Sequence, residues 1–281
     1  MIYHAAWHLI GGKYDMHKIT ILGTKHSLYV NAADLKGASL IKYKGRSQPR
    51  VVYIWRALAS RLKPDLVIDA GVNYGEIVLS AVYPAHAPIT VIDANDSLRP
   101  YLLRSLREHP NSKQFRYVHA IASDQNRDSV TFYIDTARSG DSSAYHLGDK
   151  AFEEVKVPSV TVDSLIGSSE AQDKTLLFKL DVEGYEWQVL RGMSRLLEEC
   201  REAAGCIEFN MSYLKDKGVD IGAYLQFLGE RFRLYAIGHA GKLTEIKAPY
   251  LEQANAYFAE DPSCNDLLLV KSADTLNRLK R

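Results

Sequence analysis

Cysteine is scarce and poorly placed for a structural role. The 281-residue chain has Cys200, Cys206 and Cys264 and no C-x-x-C pair, which excludes a disulfide framework and a structural zinc site. The expectation is a reduced, cytoplasmic setting with buried thiols. No apolar run approaches the roughly eighteen residues of a membrane helix. The stretch Trp7-His-Leu-Ile-Gly-Gly12 is too short and mixed for a secretory signal and lacks a basic leader. Excess charge is also missing: 35 Lys and Arg stand against 34 Asp and Glu, a net of +1. That balance gives no electrostatic case for nucleic acid or an anionic membrane as partner. There is no internal repeat, no low-complexity linker and no G-x-G-x-x-G. What remains is a chain of ordinary size for one α/β domain with some decoration.

The most informative segment is Lys179-Leu-Asp-Val-Glu-Gly-Tyr-Glu186, which follows the apolar run Leu176-Leu-Phe178. Successive strand side chains point to opposite faces, so Lys179, Asp181 and Glu183 share one side of a strand end. Three charges there are costly unless they pair with each other or serve a ligand. A surface salt-bridge cluster is the plainer reading, but the preceding run has the character of an interior strand, where isolated charge is rare.

A second segment lies upstream. Leu66-Val-Ile-Asp69-Ala-Gly71-Val-Asn73-Tyr-Gly75-Glu76 is an apolar strand running into a turn with two glycines, followed by a short apolar helix expected over 77–82. Glycines let a ligand approach the backbone, and about twenty residues on a second strand, Ile89-Thr-Val-Ile92, ends in Asp93. That is where a nucleoside-binding α/β fold puts the acid for the ribose hydroxyls.

Along the chain, residues 1–48 form an N-terminal extension with an expected hairpin, Lys18–Leu22 and Ser27–Val30, and the main domain spans 49–281. Pro49 opens a helix whose apolar stripe is Val51, Val52, Trp55, Leu58 and Leu62. Further strands are expected at Phe115–Ala122, Val130–Ile134 and Val155–Val162, the last two as antiparallel partners. Others follow at Thr175–Asp181, Ala204–Phe209, Phe232–Ile237 and Asp266–Val270, with helices at 186–197 and 221–228. Strands alternating with helices predict a mainly parallel sheet with right-handed crossovers. The polar stretch from Ala137 to His146 is either a surface loop or an active-site lid. Asp69, Asp93, Asp124, Asp181 and Glu208 all fall at or just past strand ends, where open α/β sheets bind ligands. Each is also a candidate helix N-cap.

These segments resemble the FkbM family of S-adenosylmethionine (SAM)-dependent methyltransferases. The D-x-G-x-N-x-G loop is matched by Asp69, Gly71, Asn73 and Gly75. The T-x-D-S-L segment is matched by Thr161–Leu165, and K-x-D-x-E-G-x-E-x-x-V-L by Lys179 through Leu190. An E-x-N strand end is matched by Glu208 and Asn210. The resemblance covers about residues 50–271 and departs from the family at Val72 and at Asp93-Ala94, where the family has alanine and Glu-Pro.

The resemblance implies a class I methyltransferase fold, a Rossmann-like seven-stranded sheet with helices on both faces and its last strand antiparallel. It also implies SAM as cofactor and O-methylation of a sugar, glycoside or glycosylated natural product. Asp69 and the Gly71–Gly75 backbone, with Asn73, would hold the methionine part of SAM and Asp93 the ribose. Ser123 and Asp124 would line the adenine. Removing the hydroxyl proton falls to Asp181, Glu183 and Glu208, directly or through bound Mg²⁺, with Lys179 neutralising the acids. His146 and His239 are the imidazole candidates. The expected partner is a small-molecule or glycan hydroxyl acceptor, and the sequence leaves room for a homo-oligomer. Two other readings stay open. One is a nicotinamide-dependent oxidoreductase, disfavoured by the missing glycine fingerprint. The other is a methyltransferase-like binding module without turnover.

Overall fold

The structure is a computed structural model that describes residues 15–145, 152–261 and 265–280. A hairpin of β1 (His17–Thr20) and β2 (Ser27–Val30) opens it. The strands that follow are β3 (Leu66–Ala70), β4 (Ile89–Asp93), β5 (Phe115–His119), β6 (Ile121–Ala122), β7 (Arg127–Asp135) and β8 (Phe152–Val160). After them come β9 (Thr175–Leu180), β10 (Glu202–Glu208), β11 (Arg233–Ile237), β12 (Leu243–Ile246) and β13 (Asp266–Val270). The main sheet has the order β12-β11-β13-β10-β9-β3-β4-β5. Its pairs from β5 to β10 are parallel, and β13 runs antiparallel between β10 and β11. The seven expected strands are therefore there in a class I methyltransferase order, and β12 adds an eighth at the edge. A small second sheet, β6-β8-β7, stands beside it.

Alternation along the central strands explains why helices cover both faces. On β3, Val67 enters one hydrophobic cluster while Leu66, Ile68 and Ala70 enter the other. On β9, Leu177 faces the first, and Leu176, Phe178 and Leu180 face the second. The helix Pro49–Leu62 covers the first face and Ile221–Gly229 the second. Such strands are buried on both sides, so their runs read as continuously apolar. The hairpin shares the first cluster through Leu28 and Val30, as does Leu40 of the helix Leu35–Lys42.

Three expected elements differ. The helix at 77–82 is only a 3₁₀ turn, Val78–Ser80. The Ser80 hydroxyl donates back to the Ile77 carbonyl, a local bond that competes with helix growth, and Pro84 follows. The strand at 115–122 divides at Ala120: β5 pairs with β4, whereas β6 leaves for the small sheet. There Ile121 packs with Phe132 and Val157. The helix after β9 breaks into Glu186–Arg191 and Ser194–Glu199. Gly192 lies between them so close to the backbone that a Cβ would sit 1.9 Å from the Ser123 carbonyl oxygen.

Candidate active site

The carboxyl ends of β3, β4, β9 and β10 open into one cavity of about 440 Å³. Gly71 is where the first loop meets β9. Its φ of +74° is a left-handed conformation, and a Cβ there would lie 1.8 Å from the Asp181 carbonyl oxygen. Only glycine meets both demands. Asn73, also left-handed at φ +51°, donates its backbone N–H to the Asp93 carboxylate at 2.6 Å. The other Asp93 oxygen accepts from the Asn95 N–H at 2.8 Å. Asp93 is thus a fixed acid on the cavity wall, and a carboxylate's roughly four lone-pair sites leave acceptor capacity after two bonds. Burial raises its pKa, partly offset by the two backbone N–H groups.

Behind the wall lies a buried charge array. Asp69 and Lys179 are paired in register on neighbouring strands. The Lys179 ammonium is 3.5 Å from Asp69 and 3.2 Å from Asp181, and it donates to the Gly71 carbonyl at 3.3 Å. Burial works against this cation, but Asp181 and Asp69 hold its pKa above the ordinary lysine value. Burial pushes Asp69 up to about 6, with Lys179 pulling the other way, and neither Asp69 oxygen has a hydrogen-bond partner among the described residues. Asp181 also accepts from the Gln48 side-chain amide at 3.1 Å. Against the effect of burial, Lys179 and Lys36 keep Asp181 below the usual carboxylate range.

Asp181, Glu183 and Glu208 bring one oxygen each within 4.8 Å of one another. The electrostatics divide them. Burial and the neighbouring acids, Asp181 for Glu183 and Glu183 for Glu208, push these two glutamates well above the ordinary range. Two like charges so close do not both ionise readily. Glu183 is aimed into the cavity by a turn with φ +55°, followed by Gly184 at +89°. That left-handed residue is held from several sides. Its carbonyl accepts from the Ser143 hydroxyl at 3.0 Å and from the Lys217 ammonium. The buried Glu186 carboxylate accepts from the Val182 and Gly184 N–H groups at 2.9 and 3.2 Å. Tyr185, Asn210 and Tyr213 complete this end of the cavity.

The other predicted positions scatter. Asn73, Gly71 and Asp93 line the cavity, whereas Asp69, Gly75 and Lys179 stand behind it. A Cβ on Gly75 would press on Leu79 and Leu102, so its smallness serves packing. Ser123 and Asp124 lie outside the lining, where Asp124 pairs with Arg191 at 2.6 Å and the Ser123 hydroxyl donates to Asp124. The apolar wall near Asp93 is built instead by Ala94, Ala120, Ile121, Ala122 and Phe132. His239 is exposed and bonds Arg50 away from the cavity. His146 lies outside the described residues. Part of the polar 137–145 segment lines the cavity and is tied down: Asp34 accepts from the Ser139 N–H and hydroxyl at 2.9 and 2.7 Å.

Sequence reasoning missed the contribution of the N-terminal region. Lys36, Ser39, Ser47 and Gln48 all line the cavity. The available signal was Glu76, an acid just past the glycine loop that needed a cation once buried. Lys36 supplies it at 2.8 Å.

A family profile described as the Methyltransferase FkbM domain matches residues 85–236. Comparison with curated proteins gives no match. Among solved structures, Methyltransferase FkbM from Methylobacillus flagellatus KT is similar at TM-score 0.44 and 12% identity, covering 74% of this chain. This chain spans only 44% of that one. The O-methyltransferase TomG from Streptomyces achromogenes is similar at TM-score 0.43 and 11% identity, with 79% of each chain covered.

Proposed function

This chain belongs to the FkbM family of SAM-dependent methyltransferases, whose profile covers more than half of it, and from that premise we propose that it methylates a hydroxyl of a sugar, glycoside or glycosylated natural product. The cavity's donor set fits the cofactor. Alanines and Phe132 offer an apolar slot for a flat ring, Asp93 an acceptor for a diol, and Lys36, Ser39, Ser47 and Gln48 polar partners for a zwitterion. When bound, SAM supplies an activated methyl group on a sulfonium.

The observation that carries the oxygen-acceptor reading is the division within the acid cluster. Methylating a hydroxyl requires alignment, exclusion of water and a group that takes the proton. Asp181, bonded to Lys179 and Gln48, is held ionised and is a weak base. Glu183 and Glu208 hold a proton more tightly, which makes either a better acceptor for a hydroxyl proton once ionised. Turnover should therefore fall on acidification at a pH above the ordinary carboxylate range. Tyr185 and Tyr213 provide amphipathic faces suited to a sugar ring. Three acid oxygens within 4.8 Å of one another also suit a divalent ion that would polarise the hydroxyl.

Glu208→Gln and Glu183→Gln test the assignment in a methyl-transfer assay with a panel of hydroxylated acceptors. At least one should lose turnover by about 10²–10⁴-fold while S-adenosylhomocysteine affinity is retained. Full activity of both at saturating cofactor and acceptor would remove the pair from the reaction.

A further inference from the structure

The cavity wall carries charge of both signs in unequal shares. Asp93, Asp141, Asp181, Glu183 and Glu208 line it as acids, and Lys36 and Arg138 are the cations among its described lining residues. Arg138 is turned outward, with its side chain 56% exposed and paired with Asp141 at 3.1 Å. Lys36 is different: its side chain is 13% exposed, and its partner Glu76 is 4% exposed. Glu76 takes one N–H of an ammonium that has three to give. The Ser47 hydroxyl donates to the same Glu76 oxygen at 2.9 Å, so this carboxylate is already shared.

Lys36 is also held in place by its own loop. Asp34 accepts from the Lys36 and Gly37 N–H groups at the start of the helix Leu35–Lys42 and from the Ser139 N–H and hydroxyl. The Lys36 methylenes lie against Gly140, so the side chain runs between the N-terminal helix and the 137–145 loop. A buried, positioned cation on an otherwise acidic wall selects the anionic group of any ligand that enters.

Resting on the SAM reading above, we infer that Lys36 binds the α-carboxylate of the cofactor's methionine end. That carboxylate is the cofactor's one anionic group; the sulfonium and ammonium are cations and the nucleoside is neutral. The N-terminal region then forms part of the cofactor site and is no mere appendage. Glu76 and Asp34 act as positioning residues for the lysine.

Calorimetric titration with two ligands tests this on the full chain: S-adenosylhomocysteine, which has the amino-acid end, and 5′-methylthioadenosine, which lacks it. Lys36→Met removes the charge and keeps an unbranched stem. Lys36→Met/Glu76→Gln does the same without leaving a buried carboxylate unpaired, so the test survives if the single variant folds poorly. Both should weaken S-adenosylhomocysteine by about 10- to 150-fold, the loss of one charged hydrogen bond, and leave 5′-methylthioadenosine within about twofold. Lys36→Arg should restore most of the affinity. Equal losses for the two ligands, or none for S-adenosylhomocysteine, overturn the inference. Failure of the wild type to bind either ligand overturns the cofactor reading itself.

Discussion

Replacing Asp93 with alanine perturbs two things, and the structure separates them. The first is the proposed contact with the cofactor's ribose: loss of a charged hydrogen bond costs about 1.5–3 kcal/mol, or about 10- to 150-fold in affinity. The second is the fold. Asp93 is 9% exposed and accepts the backbone N–H groups of Asn73 and Asn95. Alanine strands both donors, at about 1–3 kcal/mol each if no water reaches them. Against a typical total stability of about 5–15 kcal/mol this is a large fraction, and an affinity measured on a partly unfolded sample would mislead. The assay is therefore paired. Urea denaturation gives the stability loss, and calorimetry with S-adenosylhomocysteine is run where circular dichroism shows the variant fully folded. The expected result is weaker binding by the stated factor together with a lower urea midpoint. Wild-type affinity in the folded variant would refute the placement of the ribose at Asp93.

Gly71→Ala combines a left-handed backbone penalty with a Cβ forced onto the Asp181 carbonyl; the two together should destabilise by about 2–5 kcal/mol, read as a lowered urea midpoint, and an unchanged midpoint would show the loop free to move. Burial pushes Glu186 from 4.5 up to about 7, so the native state binds this proton more tightly than the unfolded chain and its stability falls as pH rises through that window. Glu186→Gln keeps the acceptor for Val182 and Gly184 and removes the titration, so it should gain about 1–3 kcal/mol on wild type at about pH 8 and much less near pH 5. Parallel urea midpoints at the two pH values would contradict that. Dialysis against a chelator should abolish turnover if the acid cluster works through a divalent ion and leave it intact if the glutamates act directly.

Much of the fold was legible because its strands obey simple periodicities. Continuous apolar runs at Leu66–Ile68 and Leu176–Phe178 mark strands buried on both faces, and the acids ending them mark where the sheet stops and the site begins. Asp93, Asp181, Glu183 and Glu208 were identifiable because charge at the end of such a run needs a reason. The rest depends on contacts that no local pattern records. Lys36 meets Glu76 across 40 positions, and Gln48 meets Asp181 across 133. The helix Leu35–Lys42 is short and carries little periodic signal, and its N-cap Asp34 is read only once Ser139 is seen beside it. Ser123 and Asp124 sit at a strand end like the others. The chain stays on the cavity wall through Ile121 and Ala122 of β6 and leaves it just after, where Asp124 turns to Arg191.

The position of the transferred methyl group tests the central claim most directly. Incubating the protein with methyl-labelled SAM and a panel of glycosides, some bearing free amines, and locating the label in the product by nuclear magnetic resonance would identify the accepting atom. The account predicts label in an ether carbon on a sugar hydroxyl. Label on nitrogen or carbon, with the hydroxyls untouched, would contradict it.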